Sequence, residues 1–344
     1  MAATTLAAVT PAPDDRSPVR LHVVTGKGGT GKSTVAAALA LALASHGRSV
    51  LLCEVEGRQG IARLFDVDPL PYAERRIATG LPGPDGRAGH VHALHVDPES
   101  ALLEYLSMYY RLGRAGRALD RFGVVEFATT LAPGVRDVLL TGKVYEAAKV
   151  TRRAKGVPSY DAVVLDAPPT GRIAQFLGVN SELAGLARVG PIKTQADNVM
   201  KLFRSRRTAI HLVTVLEEMP VQETADGIAE LRRAGLPVGS VVVNMVRSQD
   251  LGPEQLAAAR AGVLDAGRVR TELAEAGLAA DDALVDGLLA EAHDHAVRRG
   301  LEDAQREVVA GLGVPVLELP RLTAGVDLGG LYELAADLDE GGMA

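Results

Sequence analysis

Short apolar runs alternate with longer helical stretches along most of the chain. The run Leu21–Thr25 is apolar and rich in β-branched residues, and the stretch Lys32–Ser45 after it is Ala and Leu on nearly every face. Ser49–Cys53 is a second apolar run. A buried strand, a helix buried all round and a second strand are expected to form a right-handed βαβ unit. The pattern predicts an α/β fold with a doubly wound, mostly parallel sheet.

Later segments continue this pattern. Further apolar runs lie at 162–165, 209–215, 238–243 and 314–319. Two regions without such a run, about 97–155 and about 251–311, have helical periodicity, and the first is predicted to be a helical subdomain inserted into the sheet domain. We expect one domain over 19–338, a disordered leader at 1–18 and a frayed acidic tail at 339–344.

Composition limits the classes of function. The chain has 37 Lys and Arg against 43 Asp and Glu, a formal net charge of −6, and no Trp. A negative field and few aromatic side chains argue against a nucleic-acid partner. Cys53 is the single cysteine and cannot form an intrachain disulfide, and no apolar stretch has the roughly 20 residues of a membrane-spanning helix. We therefore expect a cytoplasmic protein without a transmembrane segment.

A glycine-rich loop joins the first predicted strand to the first helix. It reads Gly26-Lys27-Gly28-Gly29-Thr30-Gly31-Lys32-Ser33-Thr34, which fits the pattern G-x-x-x-x-G-K-[ST]. Backbone N–H groups of such a loop point at phosphate oxygens, and the helix N-terminus favours the same negative charge. Lys32 would neutralise the β- and γ-phosphates, and the Ser33 hydroxyl would bind Mg²⁺. The loop therefore predicts a site for ATP and Mg²⁺.

This loop and a second motif resemble a known family. With Lys27, the loop is similar to the deviant phosphate loop of the superclass of signal-recognition, MinD and BioD proteins, in which the early lysine reaches the nucleotide of the facing subunit. Residues 160–172 read Tyr-Asp-Ala-Val-Val-Leu-Asp-Ala-Pro-Pro-Thr-Gly-Arg, and the arsenite-pump (ArsA) and guided-entry ATPase family has Asp-Thr-Ala-Pro-Thr-Gly-His there. The chain resembles that family from about residue 19 to about residue 338.

Residues that come later in the chain than the glycine-rich loop are also expected to contact the nucleotide or Mg²⁺. Asp166 ends an apolar run, where its carboxylate can hold a water on Mg²⁺, and Gly171 offers a backbone N–H that would sense the γ-phosphate. The resemblance implies that Asn244 contacts the adenine and that Glu217 contacts the nucleotide. It also places Pro315 in an adenine loop.

Departures from the family bear on the chemistry. The family's Asp-Pro-Ala-His is replaced by Glu56-Gly57-Arg58-Gln59, so the resemblance makes Glu56 the catalytic residue that positions the attacking water. Its extra methylene loosens that geometry, and we expect slow turnover. Glu54, on the same strand face, is the alternative. The family's arsenite-binding cysteines and zinc-binding Cys-x-x-Cys have no counterpart here.

These observations lead to one interpretation and two alternatives. The chain is interpreted as an ATP-hydrolysing switch, a homodimer or a heterodimer with a related paralogue, in which Lys32, Mg²⁺ on Ser33 and Lys27 of the facing chain stabilise the developing charge. Nucleotide state would control the binding of an apolar client or a membrane-protein partner. The alternatives are a nucleotide-binding scaffold with little turnover and a synthetase-like enzyme of the same superclass.

Three histidines lie close together on a short predicted strand, at positions 90, 92 and 95. Side chains alternate between the two faces of a strand, so His95 is expected to point away from the other two. The spacing therefore does not favour a shared metal ion.

Overall fold

The computed structural model describes residues 19–57, 59–83, 86–110, 133–149, 159–186 and 191–344. The predicted leader at 1–18 lies outside these residues, as do 111–132 and 150–155 of the predicted insertion.

Eight strands of the described chain form one mixed sheet. They are β1 (Leu21–Gly26), β2 (Ser49–Glu54), β3 (Arg75–Thr79), β4 (His90–His95), β5 (Ala162–Asp166), β6 (Thr208–Thr214), β7 (Val238–Val246) and β8 (Val316–Pro320). Their order is β3-β4-β2-β5-β1-β6-β7-β8, and only β3 runs antiparallel to its neighbour. The predicted α/β fold with a doubly wound, mostly parallel sheet is confirmed.

Helices cover both faces of the sheet. In chain order the helices of the described residues are α1 (Lys32–Ser45), α2 (Gly60–Leu64), α3 (Pro98–Tyr110), α4 (Pro133–Ala148), α5 (Thr170–Leu186), α6 (Pro191–Phe203), α7 (Glu218–Arg233), α8 (Pro253–Ala261), α9 (Ala266–Glu275), α10 (Asp282–Ala310) and α11 (Leu328–Glu340). Helices α1, α2 and α11 pack on one face, and α4 to α7 pack on the other. Helices α3 and α4 lie in the predicted insertion and α8 to α10 in the second helical region, while the division into domains stays a prediction.

Helix α1 is buried on every side, as its composition predicts. All ten residues from Val35 to Ala44 are buried, because the helix lies between the sheet and α11. The many alanines let the backbones on both sides approach closely, and alanine has the highest helix propensity. The N-terminus of α1 is thereby held at the carboxyl edge of the sheet, directly after β1.

Two elements differ from the sequence prediction. Strand β3 was missed because it is an edge strand: Arg75 and Arg76 are exposed on it, so it lacks the apolar run of a central strand. The expected frayed tail is corrected, because α11 continues to Glu340 and Met343 packs into the core with 9% of its surface exposed. The Met343 N–H donates to the Leu338 carbonyl, which closes this end of the chain against the fold.

Among the described helices, none combines the length and the apolar character that crossing a bilayer requires.

Two buried histidines face each other across β1 and β6. His22 Nδ1 lies 3.2 Å from His211 Nε2, and His211 Nδ1 lies 2.8 Å from the Ser240 hydroxyl oxygen. Burial lowers the pKa of His211 to about 4 and holds the pKa of His22 well below its ordinary value. Both rings are therefore neutral in the folded protein near neutral pH.

We expect acidification from about pH 6.5 to about pH 4 to destabilise the fold through His211. The unfolded chain binds a proton on this histidine in that range and the folded chain does not. The free energy of unfolding therefore decreases as the pH is lowered, by about 1.4 kcal/mol per pH unit. Urea unfolding at several pH values should show a shallower loss for His211→Gln, which stays neutral. Equal pH slopes for the two proteins would contradict this assignment.

Candidate functional site

The predicted site residues other than Pro315 come together at the carboxyl edge of the sheet. The glycine loop follows β1, Glu54 ends β2, and Asp166 ends β5, which lies between β1 and β2. Glu217 follows β6, and Asn244 lies near the end of β7. Parallel strands meet their ligands at this edge, where the strand order reverses around β1.

The backbone of the glycine loop requires glycine at defined positions. Gly29 has φ +92°, and Gly31, the N-cap of α1, has φ +90°. A Cβ on Gly26 would lie 2.3 Å from the Val213 carbonyl oxygen of β6. Within the loop, the hydroxyl and the N–H of Thr30 both donate to the Lys27 carbonyl, at 2.9 and 3.3 Å. The loop is therefore a compact turn whose last residues enter α1.

Asn244 contacts this loop directly. Its buried amide donates from Nδ2 to the Thr30 carbonyl oxygen at 2.9 Å. A Cβ on Gly31 would lie 2.2 Å from the same nitrogen, so this contact also depends on glycine. The residue that the resemblance assigns to adenine recognition is thus joined to the phosphate loop.

Ser33 and Asp166 are joined by a short hydrogen bond. The Ser33 hydroxyl donates to Asp166 Oδ2 at 2.5 Å. Burial raises the pKa of Asp166 to about 6, opposed by the bond from Ser33 and the charge of Lys32, while the charges of Glu54 and Glu56 add to the rise. Lys32 therefore lies close enough to act on the carboxylate that the sequence predicts for Mg²⁺.

The two glutamates at the end of β2 and just after it, Glu54 and Glu56, occupy different environments. Glu54 has 2% of its surface exposed, and its Oε1 accepts the Gly60 N–H at 2.7 Å. Glu56 is half-buried in the loop that links β2 to α2. The structure brings both carboxylates near Asp166, and the catalytic role of Glu56 stays a prediction.

Lys27 lies beside α7 of its own chain. Its Nζ is 3.9 Å from Glu223 Oε2, and both side chains are partly exposed. This weak ion pair leaves the predicted role of Lys27 toward a facing subunit untested.

An open cleft of about 810 Å³ adjoins the loop. It is lined by Glu217 and its neighbours after β6, by Asn244 and other residues at the end of β7, and by residues of α10. Arg247 Nη1 donates to Glu302 Oε1 at 2.8 Å, which fixes α10 against the end of β7. Arg321, which follows β8, also lines the cleft and was not singled out by the sequence.

The assignment of Pro315 is corrected. Its carbonyl accepts the Val241 N–H just before β8 begins, whereas the cleft is lined by Arg321, directly after the end of β8. A proline flanks each end of this apolar run, and the sequence prediction chose the one before the strand. The rule that ligands bind beyond the carboxyl ends of strands would have favoured the other.

The residues at the edge of β5 fit a hard divalent cation. Asp166 Oδ1 and Glu54 Oε2 are buried without a hydrogen-bond partner among the described residues, and Ser33 Oγ lies against Asp166. Oxygen ligands of this kind suit Mg²⁺.

The three histidines of β4 do not form a site of this kind. His92 packs edge-on against Tyr160, while His95 lies 3.8 Å from Glu54, in line with their placement on opposite faces. No group of three or more His, Cys, Asp or Glu in the described part of the chain is arranged to hold a metal ion.

Comparison with known proteins agrees with this geometry. The sequence model of the anion-transporting ATPase family matches residues 19–206, more than half of the chain. The chain belongs to the anion-transporting ATPase family. A relative in Mycobacterium tuberculosis (strain ATCC 25618 / H37Rv), ATPase BagA, is 55% identical over 332 residues, which cover 96% of each chain.

Two more distant relatives of this chain are an arsenical pump-driving ATPase and an ATPase get3, the two kinds of protein in the family that the sequence resembles. An arsenical pump-driving ATPase of Acidiphilium multivorum is 28% identical over 243 residues, covering 64% of this chain and 38% of that one. An ATPase get3 of Botryotinia fuckeliana is 27% identical over 182 residues, covering 53% of this chain and 48% of that one. The predicted membership of the ArsA and guided-entry family is confirmed.

The glycine positions of the loop give a test of its geometry. We expect Gly31→Ala to lower the free energy of unfolding by about 1–2 kcal/mol, because a left-handed backbone is costly for alanine. Displacement of the Asn244 amide would add to that cost. Urea unfolding measures the effect. The matched control is Gly28→Ala, whose Cβ would meet nothing within 4 Å. Equal stability of the two variants would contradict the loop geometry.

Proposed function

We propose that this protein is a Mg²⁺-dependent ATPase that works as a dimeric switch. The observation that carries the proposal is the convergence of the glycine loop, the Ser33–Asp166 hydrogen bond and the cleft beside Asn244 at one edge of the sheet. The loop offers N–H groups and Lys32 to phosphates, and the adjoining cleft has room for the base and sugar. ATP is the substrate that such a site accommodates.

The chain's own residues supply positioning and charge. Lys32 stabilises negative charge that develops on the phosphates, and Ser33 with Asp166 holds the metal ion. The ion, when bound, neutralises charge on phosphate oxygens. Glu56 orients the attacking water, and its location in a half-buried loop near Asp166 supports that role. Because its side chain is longer than aspartate, turnover is slow.

An ion pair supports coupling between the nucleotide and the helical insertion. Arg172 follows Gly171 at the start of α5, and its Nη2 lies 3.5 Å from Asp137 Oδ2 on α4. The side chain of Asp137 is largely buried, and burial raises its pKa while Arg172 opposes the rise. A change of nucleotide at Gly171 would therefore be felt by α4.

Exposed apolar side chains on α10 support the binding of a partner. Leu284 and Leu288 near its start are exposed, as are Val297, Leu301 and Val308 farther along. The same helix lines the nucleotide cleft. An apolar client, a membrane-protein partner or a paralogue of this chain would bury such side chains.

Replacing Lys32 by Ala tests the nucleotide site. We expect loss of detectable ATP binding in calorimetry and of phosphate release, because the phosphates lose their main positive charge within the chain. Lys201→Ala, an exposed lysine of α6, is the control and should retain both. Unchanged ATP affinity of the Lys32 variant would refute the assignment. ATP binding without phosphate release by the unaltered protein would favour a scaffold.

Replacing Lys27 by Ala tests the dimeric switch. Lys27 acts on the nucleotide of the facing chain, so the variant should bind ADP with nearly unchanged affinity and lose ATP-dependent association. Analytical ultracentrifugation with ADP and with a slowly hydrolysed ATP analogue measures the difference. Glu223→Gln, which removes only the intrachain ion pair, should keep the association. The role of Lys27 would be excluded if the mass of the unaltered protein in solution did not change with the nucleotide, both alone and in the presence of a paralogue.

A further inference from the structure

Glu54 lies at the centre of three strand ends. In the sheet register it is opposite Asp166 of β5 on one side and His95 of β4 on the other. Alternation along the strands places all three on the face that carries α1. Glu54 therefore lies beside the carboxylate that bonds Ser33.

The carboxylates of Glu54 and Asp166 each have one buried oxygen without a hydrogen-bond partner among the described residues. Glu54 has 2% of its surface exposed, yet its Oε2 has no hydrogen-bond partner among the described residues, and the same holds for Asp166 Oδ1. His95 Nδ1 is 3.8 Å from Glu54 Oε2, which exceeds hydrogen-bond distance. Burying a charged oxygen without a partner costs free energy, and a bound cation would offset this cost for Glu54 and Asp166.

The other oxygen of Glu54 has a different neighbour. Oε1 accepts the N–H of Gly60 at 2.7 Å, where α2 begins. Gln59, the residue before, exchanges two hydrogen bonds with the backbone of Leu70, at 2.8 and 3.1 Å. The loop that carries Glu56 is thus held at its far end by Glu54.

Glu54 and Ser33 also border one small space. A Cβ placed on Gly60 would lie 3.4 Å from Glu54 Oε1 and 3.7 Å from Ser33 Oγ. Because residue 60 is glycine, this space stays open between the end of β2 and the start of α1.

We infer that Glu54 is a second carboxylate of the Mg²⁺ site and a positioning residue for the Glu56 loop. Oε2 acts toward the cation together with Asp166, and Oε1 anchors the loop through Gly60. The inference deepens the proposed ATPase function and rests on it. Cation binding and the position of Glu56 are then linked through one side chain.

Glu54→Gln separates the charge from the anchor, because the amide oxygen still accepts the Gly60 N–H. Calorimetry on the full chain, with ATP in Mg²⁺ or in EDTA, measures how much Mg²⁺ raises ATP affinity. We expect this gain to fall by about tenfold or more in the variant. Affinity in EDTA should be unchanged or higher, because a negative charge near the phosphates is removed. Glu56→Gln is the matched control and should keep the gain while losing phosphate release.

Further outcomes decide between explanations. Glu54→Asp keeps the charge, so its Mg²⁺ gain should exceed that of Glu54→Gln; it also serves as the test if the Gln variant fails to fold. A Glu54→Gln chain with the unaltered Mg²⁺ gain, or an Asp variant with none, would overturn the inference alone. An unaltered protein that binds ATP neither in Mg²⁺ nor in EDTA would overturn both the inference and the proposed function.

Discussion

The burial of α1 on all sides is the constraint on which the site depends. A helix held between the sheet and α11 has no freedom to shift, so its first turn, with Gly31, Lys32 and Ser33, has a fixed place at the carboxyl edge. The short bond from Ser33 to Asp166 then joins α1 to β5. A loop that must point backbone N–H groups at a ligand gains its precision from this rigid support.

Elements with strong local patterns could be predicted from the sequence. Central strands are buried on both faces and read as apolar runs, and the phosphate loop needs glycine for its own backbone. Strand β3 could not be predicted in this way, because it is half exposed and owes its place to pairing with β4. Pro315 was misassigned because one proline precedes β8 and another, Pro320, ends it, and only the strand direction decides which end faces the cleft.

Glu54 at the end of β2 and Glu56 just after it show what a family resemblance does not predict, which is the environment of each side chain. The family motif aligns with Glu56, and the alternation of side chains kept Glu54 as an alternative, but neither argument states which side chain is buried. Packing decides that: Glu54 is enclosed between α1 and the sheet, and Glu56 lies in a half-buried loop. The proposed division of roles, with Glu54 acting toward the cation and Glu56 toward the water, follows this difference in burial.

The segment after β5 joins the sheet to α5 and, under the proposed function, lies between the nucleotide and the helical insertion. Its first half is fixed, because the Ala167 N–H donates to the Val24 carbonyl and the Thr25 hydroxyl donates to the Pro168 carbonyl at 2.7 Å. Its second half begins α5, where the exposed Gly171 and Arg172 follow. Gly171 is therefore connected on one side to the hydrogen-bonded end of β5 and on the other, through Arg172, to Asp137 of α4. The proposed coupling to the helical insertion would therefore pass through Arg172 to Asp137 of α4.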